Sequence, residues 1–322
     1  MSVDPVNHPL RRPVVLEAIT RAASGHAGRP WAAQGFTDLD DRASHPCGVL
    51  HGRPFPVFAK LDSAPDAAAK FTAEMRGLDL VERLAGIATP TPVGPGVVPV
   101  EDGWLLLFEA LPERHAEDRT RDDWRSIGHT LARLHTVHSA QFGLDGQDGF
   151  FGPFRQDNTP VPANRWADFY AERRVRPLLR SAVGSGYLPA DLAGAVERLV
   201  PRLAELSGAE PRPSLVHGDA QQNNFVSTPA GAVVVDVAPY FGHPEIDLAL
   251  VDHFAPVPPD VFDAYREIRP IDPDFPARRE LWRLFAYLAA VTVDGTSPFG
   301  RRYLGRLSAA VAHYTSVLGS QR

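Results

Sequence analysis

The residues 214–236 read Ser-Leu-Val-His-Gly-Asp-Ala-Gln-Gln-Asn-Asn-Phe-Val-Ser, then Thr-Pro-Ala-Gly, then Ala-Val-Val-Val-Asp. Turn residues between two apolar arms predict a β-hairpin. The arms are of nearly equal length, so Asn224, at the start of one, is expected beside Asp236, at the end of the other. An amide oxygen and a carboxylate are hard ligands that suit Mg²⁺, which takes one or two protein oxygens and leaves the rest to water and phosphate. Asp219, five residues before Asn224, is placed at the same mouth. A carboxylate there can accept or orient a hydroxyl proton while a metal and a lysine neutralise a transferring phosphoryl group.

Lysine is scarce in this chain. Of 33 basic residues only Lys60 and Lys70 are lysine, the rest being arginine, so a lysine ending the apolar run Val57-Phe58-Ala59-Lys60 stands out. The net charge of −6 and the lack of a basic run argue against a nucleic-acid partner. No apolar stretch approaches the roughly 20 residues of a membrane span, and residues 1–12 lack an apolar secretion core, so a cytoplasmic protein is expected. Cys47, the single cysteine, excludes an internal disulfide and a multi-cysteine zinc site, and reads as a small buried hydrophobe. His129, His135 and His138 share one predicted helix but lack a carboxylate in register, and are expected to pack rather than bind metal. Walker A, G-x-G-x-x-G, H-E-x-x-H and nucleophile-elbow patterns are absent.

The elements that must position these residues follow from periodicity. Val15, Leu16, Ile19 and Ala23 form one helical face that Ser24-Gly25 ends. Runs at 32–36, 47–50 and 55–61 read as antiparallel strands. Ala68, Phe71, Met75, Leu78 and Val81 make an amphipathic helix over 66–85, and prolines 90, 92, 95 and 99 exclude helix after it. Strands at 97–100 and 104–108 flank Glu101-Asp102-Gly103. Helical spacing covers 122–138, 164–183, 189–206, 259–269, 276–293 and 301–318, with 214–236 as a strand-rich island. A small sheet-bearing lobe, 1–109, precedes a larger helical lobe, 110–322, and the cleft between them is the expected site.

His217-Gly218-Asp219 with Asn224, followed by the run ending in Asp236, resembles the catalytic and metal-binding loops of aminoglycoside-phosphotransferase-like kinases. Tyr240-Phe-Gly-His-Pro-Glu-Ile-Asp-Leu-Ala-Leu250, Trp166-Ala-Asp-Phe-Tyr-Ala-Glu-Arg-Arg-Val175 and Val261-Phe-Asp-Ala-Tyr265 are similar to the fructosamine kinase branch. The resemblance spans roughly 55–318. It implies an α+β, bilobal protein-kinase-like fold, with an antiparallel-sheet N-lobe for nucleotide and a mainly helical C-lobe for catalytic loop, metal and acceptor. By the same resemblance Asp219 is the catalytic base, and Asn224 and Asp236 hold Mg²⁺. Lys60 binds the α and β phosphates of ATP or GTP, Glu74 pairs with Lys60, and backbone groups from Glu109 to Leu111 meet the adenine edge. Asp247 is expected to brace the catalytic loop as a buried acceptor for backbone N–H groups.

The chain departs from that pattern twice. Fructosamine kinases read His-Gly-Asp-Leu-Trp-Ser-Gly-Asn, whereas this chain has Ala220-Gln221-Gln222-Asn223, so an amide replaces the flat wall expected beside the acceptor. A glycine-rich loop is missing between Gly35 and Gly48, leaving Arg42 or Ser44 as the phosphate contact there. Both changes point to phosphorylation of a sugar-containing natural product, an antibiotic, with resistance as the role. A nucleoside-type compound is placed ahead of an aminoglycoside because residues 251–322 carry eight acidic residues against nine arginines. Phosphorylation of a fructosamine or other ketosamine in protein deglycation is the alternative, and a non-catalytic pseudokinase or sugar-binding module is a third reading. Gln221 and Tyr240 are placed against the acceptor. The partners expected are a nucleoside triphosphate and a small hydroxylated molecule, with the oligomeric state open.

Overall fold

The computed structural model describes residues 8–40 and 45–320. Its chain forms two compact units, one of residues 1–119 with 226–236 and one of residues 120–225 with 237–322. The division therefore falls ten residues later than expected, and the segment 226–236 returns to the first unit.

In the first unit, α1 (Pro13–Ala27) opens on a proline, where the missing N–H costs nothing, and ends at Gly28 in the left-handed conformation. The strands β1 (Gly35–Asp38), β2 (Cys47–His51) and β3 (Val57–Asp62) lead to α2 (Ala67–Ala85), β4 (Pro92–Val100) and β5 (Gly103–Glu109). They make one sheet of order β1-β2-β3-β5-β4, with every pair antiparallel. Alternation along β3 and β5 sends Val57, Ala59, Leu61, Leu105 and Leu107 into a core shared with Val15, Ile19 and Trp31. Lys60 falls on the opposite face, its ammonium 5.9 Å from the Phe71 ring of α2. The proline run becomes the edge strand β4, with a register shift between Pro92 and Val97, because an edge tolerates missing N–H donors.

Cys47 is buried, and burial pushes its thiol up to about 12, so it packs rather than reacts. His8, Asp38 and Asp40 bring ligand atoms within 4.8 Å of one another. His8 Nδ1 accepts from the Leu10 N–H (3.1 Å), so Nε2 carries the proton and donates to Asp40 (2.9 Å). Both ring nitrogens are thus engaged, and Asp40 also accepts from the Cys47 N–H (2.8 Å). This trio ties His8, ahead of α1, to the end of β1.

The second unit begins with α3 (Arg121–Leu134), β6 (Gly149–Phe151), β7 (Phe154–Gln156), α4 (Trp166–Tyr170), α5 (Arg176–Gly184), α6 (Ala190–Leu199), α7 (Leu203–Leu206) and β8 (Ser214–Val216). The hairpin β9 (Phe225–Thr228) and β10 (Gly231–Val234) lies with the first unit from Val226 on. The chain then resumes as β11 (Tyr240–Gly242), α8 (Glu245–Leu250), α9 (Asp260–Arg266), α10 (Phe275–Trp282), α11 (Leu284–Asp294) and α12 (Pro298–Ser320). The helix expected over 164–183 is interrupted by a π-helical turn, Ala171–Val175, and the one over 276–293 breaks at Arg283. β8 pairs with β11, outside the predicted island, rather than with the hairpin. Among the described residues no helix is long and apolar enough to cross a membrane.

Aromatic packing dominates this unit: the rings of Trp166, Tyr170, His243 and Trp282 lie 5.3–6.0 Å apart. Burial lowers His243 to about 3, with Arg278 reinforcing it, and lowers His253, whose ring stacks 5.0 Å from Tyr303, also to about 3. The unfolded chain takes up these protons near 6.5 and the native state does not. Their contribution to stability is therefore complete above pH 6.5 and is lost as pH falls from 6.5 toward 3. Unfolding free energies from urea titrations at pH 7 and pH 5 are expected to differ by about 2 kcal/mol for each of the two histidines, and His253→Phe should remove its share of the slope.

Candidate active site

In the first unit the site begins with Lys60. Its Nζ lies 2.5 Å from Asp236 Oδ1 and 3.6 Å from Glu74 Oε2, with the lysine and Glu74 side chains only 12 and 13% exposed. Glu74 comes from the buried face of α2 and also accepts from the backbone N–H of Asp236 (3.3 Å). Asp236 adopts a left-handed backbone (φ 51°), and its side chain is 43% exposed. Two carboxylates thus share one ammonium. Burial, then the Asp236 charge, pushes the Glu74 carboxyl up to about 8 against the opposing pull of Lys60. Burial would lower Lys60, but Asp236 and Glu74 together hold it above its ordinary value. Lys70, the other lysine, pairs with Asp66 (2.8 Å) one helical turn away and with Asp62 (3.5 Å).

After β5 the backbone carries a second feature. The N–H groups of Glu109 and Ala110 donate to the carbonyls of Thr91 (2.8 Å) and Pro56 (2.9 Å), and no bond from Thr91 returns to the Glu109 carbonyl. Among the described residues, the Glu109 carbonyl and the Leu111 N–H are left as an acceptor and a donor two residues apart. The Glu109 side chain points elsewhere, to His26 (2.9 Å).

In the second unit the loop after β8 carries Asp219. Asp247, fully buried at the start of α8, accepts from the N–H groups of His217 (2.6 Å) and Gly218 (3.1 Å). His135 approaches the same carboxylate through Nε2 (3.1 Å) while its Nδ1 meets the Tyr265 hydroxyl (2.8 Å), and burial lowers its pKa. Gly218 sits at φ +85°, and a Cβ there would come 2.0 Å from the Ala238 carbonyl, so only glycine fits. The Asp219 N–H donates to His217 Nδ1 (3.3 Å), and its carbonyl accepts from Asn224 Nδ2 (2.8 Å). That bond orients the Asn224 amide and leaves its oxygen as the ligand atom. Asn224 directly precedes β9, and Asp236 follows β10 by two residues. Each offers a hard oxygen, the ligand type that Mg²⁺ takes.

The structure therefore brings Lys60, Glu74 and Asp236 together in one unit, and Asp219, Gln221 and Asn224 in the other. Ser44 and Arg42 lie outside the described residues. Tyr240 corrects the expectation of an acceptor contact. It is 1% exposed, with its ring 4.0 Å under the Arg174 guanidinium and 5.5 Å from Phe169. Gln221 Nε2 donates to both carboxylate oxygens of Asp219 (3.3 and 3.2 Å). The parts that sequence reasoning missed are His135 and Tyr265 behind Asp247, and Arg174 behind Tyr240. Their polar types at buried helical positions were the available signal. A cavity of about 530 Å³ lined by Asp252, Phe262, Arg266, Phe275 and Arg279 holds none of the predicted site residues.

The chain is similar to several known proteins. The family model described as fructosamine kinase matches residues 15–315. A probable ketoamine kinase of Escherichia coli K12 is 30% identical over 291 residues, covering 87% of this chain and 93% of that protein. One from Klebsiella aerogenes is 31% identical over 229 residues, covering 70% and 75%. The crystal structure of a putative fructosamine-3-kinase from Thermobifida fusca superposes with a TM-score of 0.75 at 30% identity, over 92% of this chain and 99% of that one. A thermostable mutant of the aminoglycoside phosphotransferase APH(4)-Ia, 15% identical with a TM-score of 0.60 over 91% of this chain and 98% of that one, shares the kinase-like α+β fold. The chain is a kinase that belongs to the fructosamine kinase family.

Proposed function

We propose that this protein is an ATP-dependent ketosamine kinase, which phosphorylates a hydroxyl of a sugar joined to an amine through a ketoamine linkage. The observation that carries the reading is Lys60, buried between Glu74 and Asp236, in a chain of this family. A lysine held in this way is a fixed point charge for the α and β phosphates. The Glu109 carbonyl and the Leu111 N–H present an acceptor and then a donor, the order that matches the N6 amino group and N1 of adenine. Asn224 and Asp236 would hold Mg²⁺, which when bound offsets the charge of the phosphate oxygens.

Asp219 takes the proton of the acceptor hydroxyl as the new oxygen–phosphorus bond forms and the bond from the γ-phosphorus to the bridging oxygen breaks, releasing ADP. Asp247 and His135 support this step by pinning the backbone at His217 and Gly218. The antibiotic reading yields to the ketosamine one. It rested on Gln221 in place of tryptophan and on the missing glycine-rich loop, whereas the family match and the relatives named ketoamine kinases support a sugar ketoamine, and the Gln221 amide is bonded to Asp219. The antibiotic class remains an arm of the test.

The test is phosphoryl transfer from ATP and GTP to a panel of fructosamines, ribulosamines, nucleoside antibiotics and aminoglycosides, read by mass spectrometry. A gain of about 80 Da, one HPO₃ unit, on the ketosamines with ATP is expected. Transfer confined to an antibiotic would overturn the substrate class, and no nucleotide binding would favour a pseudokinase.

A further inference from the structure

Gln221 occupies a particular place beside Asp219. The Asp219 backbone is held at both ends, its N–H on His217 and its carbonyl on Asn224. Those two bonds engage the backbone, and the side chain carries a contact of its own. The Gln221 Nε2 lies 3.3 and 3.2 Å from the two carboxylate oxygens, a three-centre contact that opposes rotation about the Cα–Cβ and Cβ–Cγ bonds. Gln221 precedes the short helix Gln222–Asn224, yet its side chain makes no capping bond to that helix. The amide is thus committed to the carboxylate rather than to local backbone, the usual use of a polar side chain at such a position.

We infer that Gln221 is a positioning residue for the catalytic base, and that the requirement at position 221 is an N–H donor to Asp219 rather than a surface for the acceptor. The inference rests on the kinase reading and deepens it. It also accounts for the departure from the fructosamine kinase pattern, since the tryptophan found there and the glutamine here differ in shape but each carries a side-chain N–H. An acceptor hydroxyl needs one carboxylate oxygen in a set direction, and a donor that bridges both oxygens sets that direction before the acceptor arrives. Because the contacts are long, the hydroxyl can take one oxygen while Gln221 keeps the other.

The experiment compares wild type, Gln221→Leu and Gln221→Trp in the full chain. Leucine keeps the volume and removes the donor, whereas tryptophan restores a donor in a different shape. For Gln221→Leu, kcat is expected to fall about 10- to 100-fold, the scale of a misdirected reacting group, with KM for ATP within about twofold. Gln221→Trp should recover more than half of that loss on a logarithmic scale. Leucine matching wild type, or leucine and tryptophan equally impaired, would overturn the inference. A second measurement needs no turnover: the side-chain amide signal of Gln221 in a ¹H–¹⁵N spectrum, assigned by its loss in Gln221→Leu, should move upfield in Asp219→Ala. An unmoved signal refutes the contact. Failure of wild type to phosphorylate any acceptor would count against the kinase reading, whereas an unmoved amide signal would overturn the Gln221–Asp219 contact on its own.

Discussion

Asp219→Asn is expected to lower phosphoryl transfer at least about 100-fold, since loss of a general base ordinarily costs that much, while nucleotide binding changes little. The asparagine is nearly isosteric and keeps its backbone bonds to His217 and Asn224, so the loop geometry is preserved. What disappears is the only proton acceptor assigned to the hydroxyl. Steady-state kinetics together with a calorimetric ATP titration would separate the two effects. Near-normal turnover would remove Asp219 from the reaction, and lost nucleotide binding would show that the substitution disturbs more than the acceptor side.

Lys60→Met carries the second large effect, on both catalysis and stability. Methionine fills a similar volume, so packing against Phe71 survives while the ammonium is lost. Transfer should fall about 100- to 1,000-fold, as when one preorganised donor to a developing anion is deleted. Removing one partner of a buried ion pair typically costs about 3–5 kcal/mol, but two features reduce that here. Asp236 is 43% exposed and remains solvated. Glu74, already raised to about 8 by burial and Asp236, escapes by keeping a proton. A carboxyl raised in the folded state binds its proton more tightly than the unfolded chain does. Its contribution is therefore full below about 4.5 and is lost as pH rises toward 8. The variant should then be nearly as stable as wild type at pH 5.5 and clearly weaker at pH 8.5 in urea titrations. Adding Glu74→Gln should restore stability at pH 8.5 but not activity. An equal deficit at both pH values would mean that Glu74 does not hold the proton.

How far the sequence could be read depends on the range of the interaction involved. The helix over 66–85 was legible because its apolar spacing is local, and α2 begins and ends within one residue of it. The hairpin was legible from Thr228-Pro229-Ala230-Gly231, whose turn is closed by the Thr228 hydroxyl on the Gly231 carbonyl (2.8 Å). The pairing of β8 with β11 was not, since strands of three residues carry almost no periodicity and their register is set by neighbours. The π-helical turn at Ala171–Val175 also escaped, because one added residue in a helical turn leaves the apolar pattern almost unchanged. Tyr240 lay within a motif that the resemblance singled out, yet motif membership does not distinguish a buried support from a surface contact.

The sequence alone determined the chemistry on offer: a carboxylate, an amide and a second carboxylate at hairpin spacing, with one lysine ending an apolar strand. Those features are encoded in residue type and short separations, where backbone geometry leaves few alternatives. Only the tertiary structure decided that Lys60 meets Asp236 across 176 residues, that Glu74 shares the same charge, and that Asp247 accepts from the His217 N–H across 30 residues. Each of these depends on which groups are removed from water together. Burial strengthens their mutual fields and makes an unpaired charge costly, so the packed fold, rather than the local sequence, selects each partner.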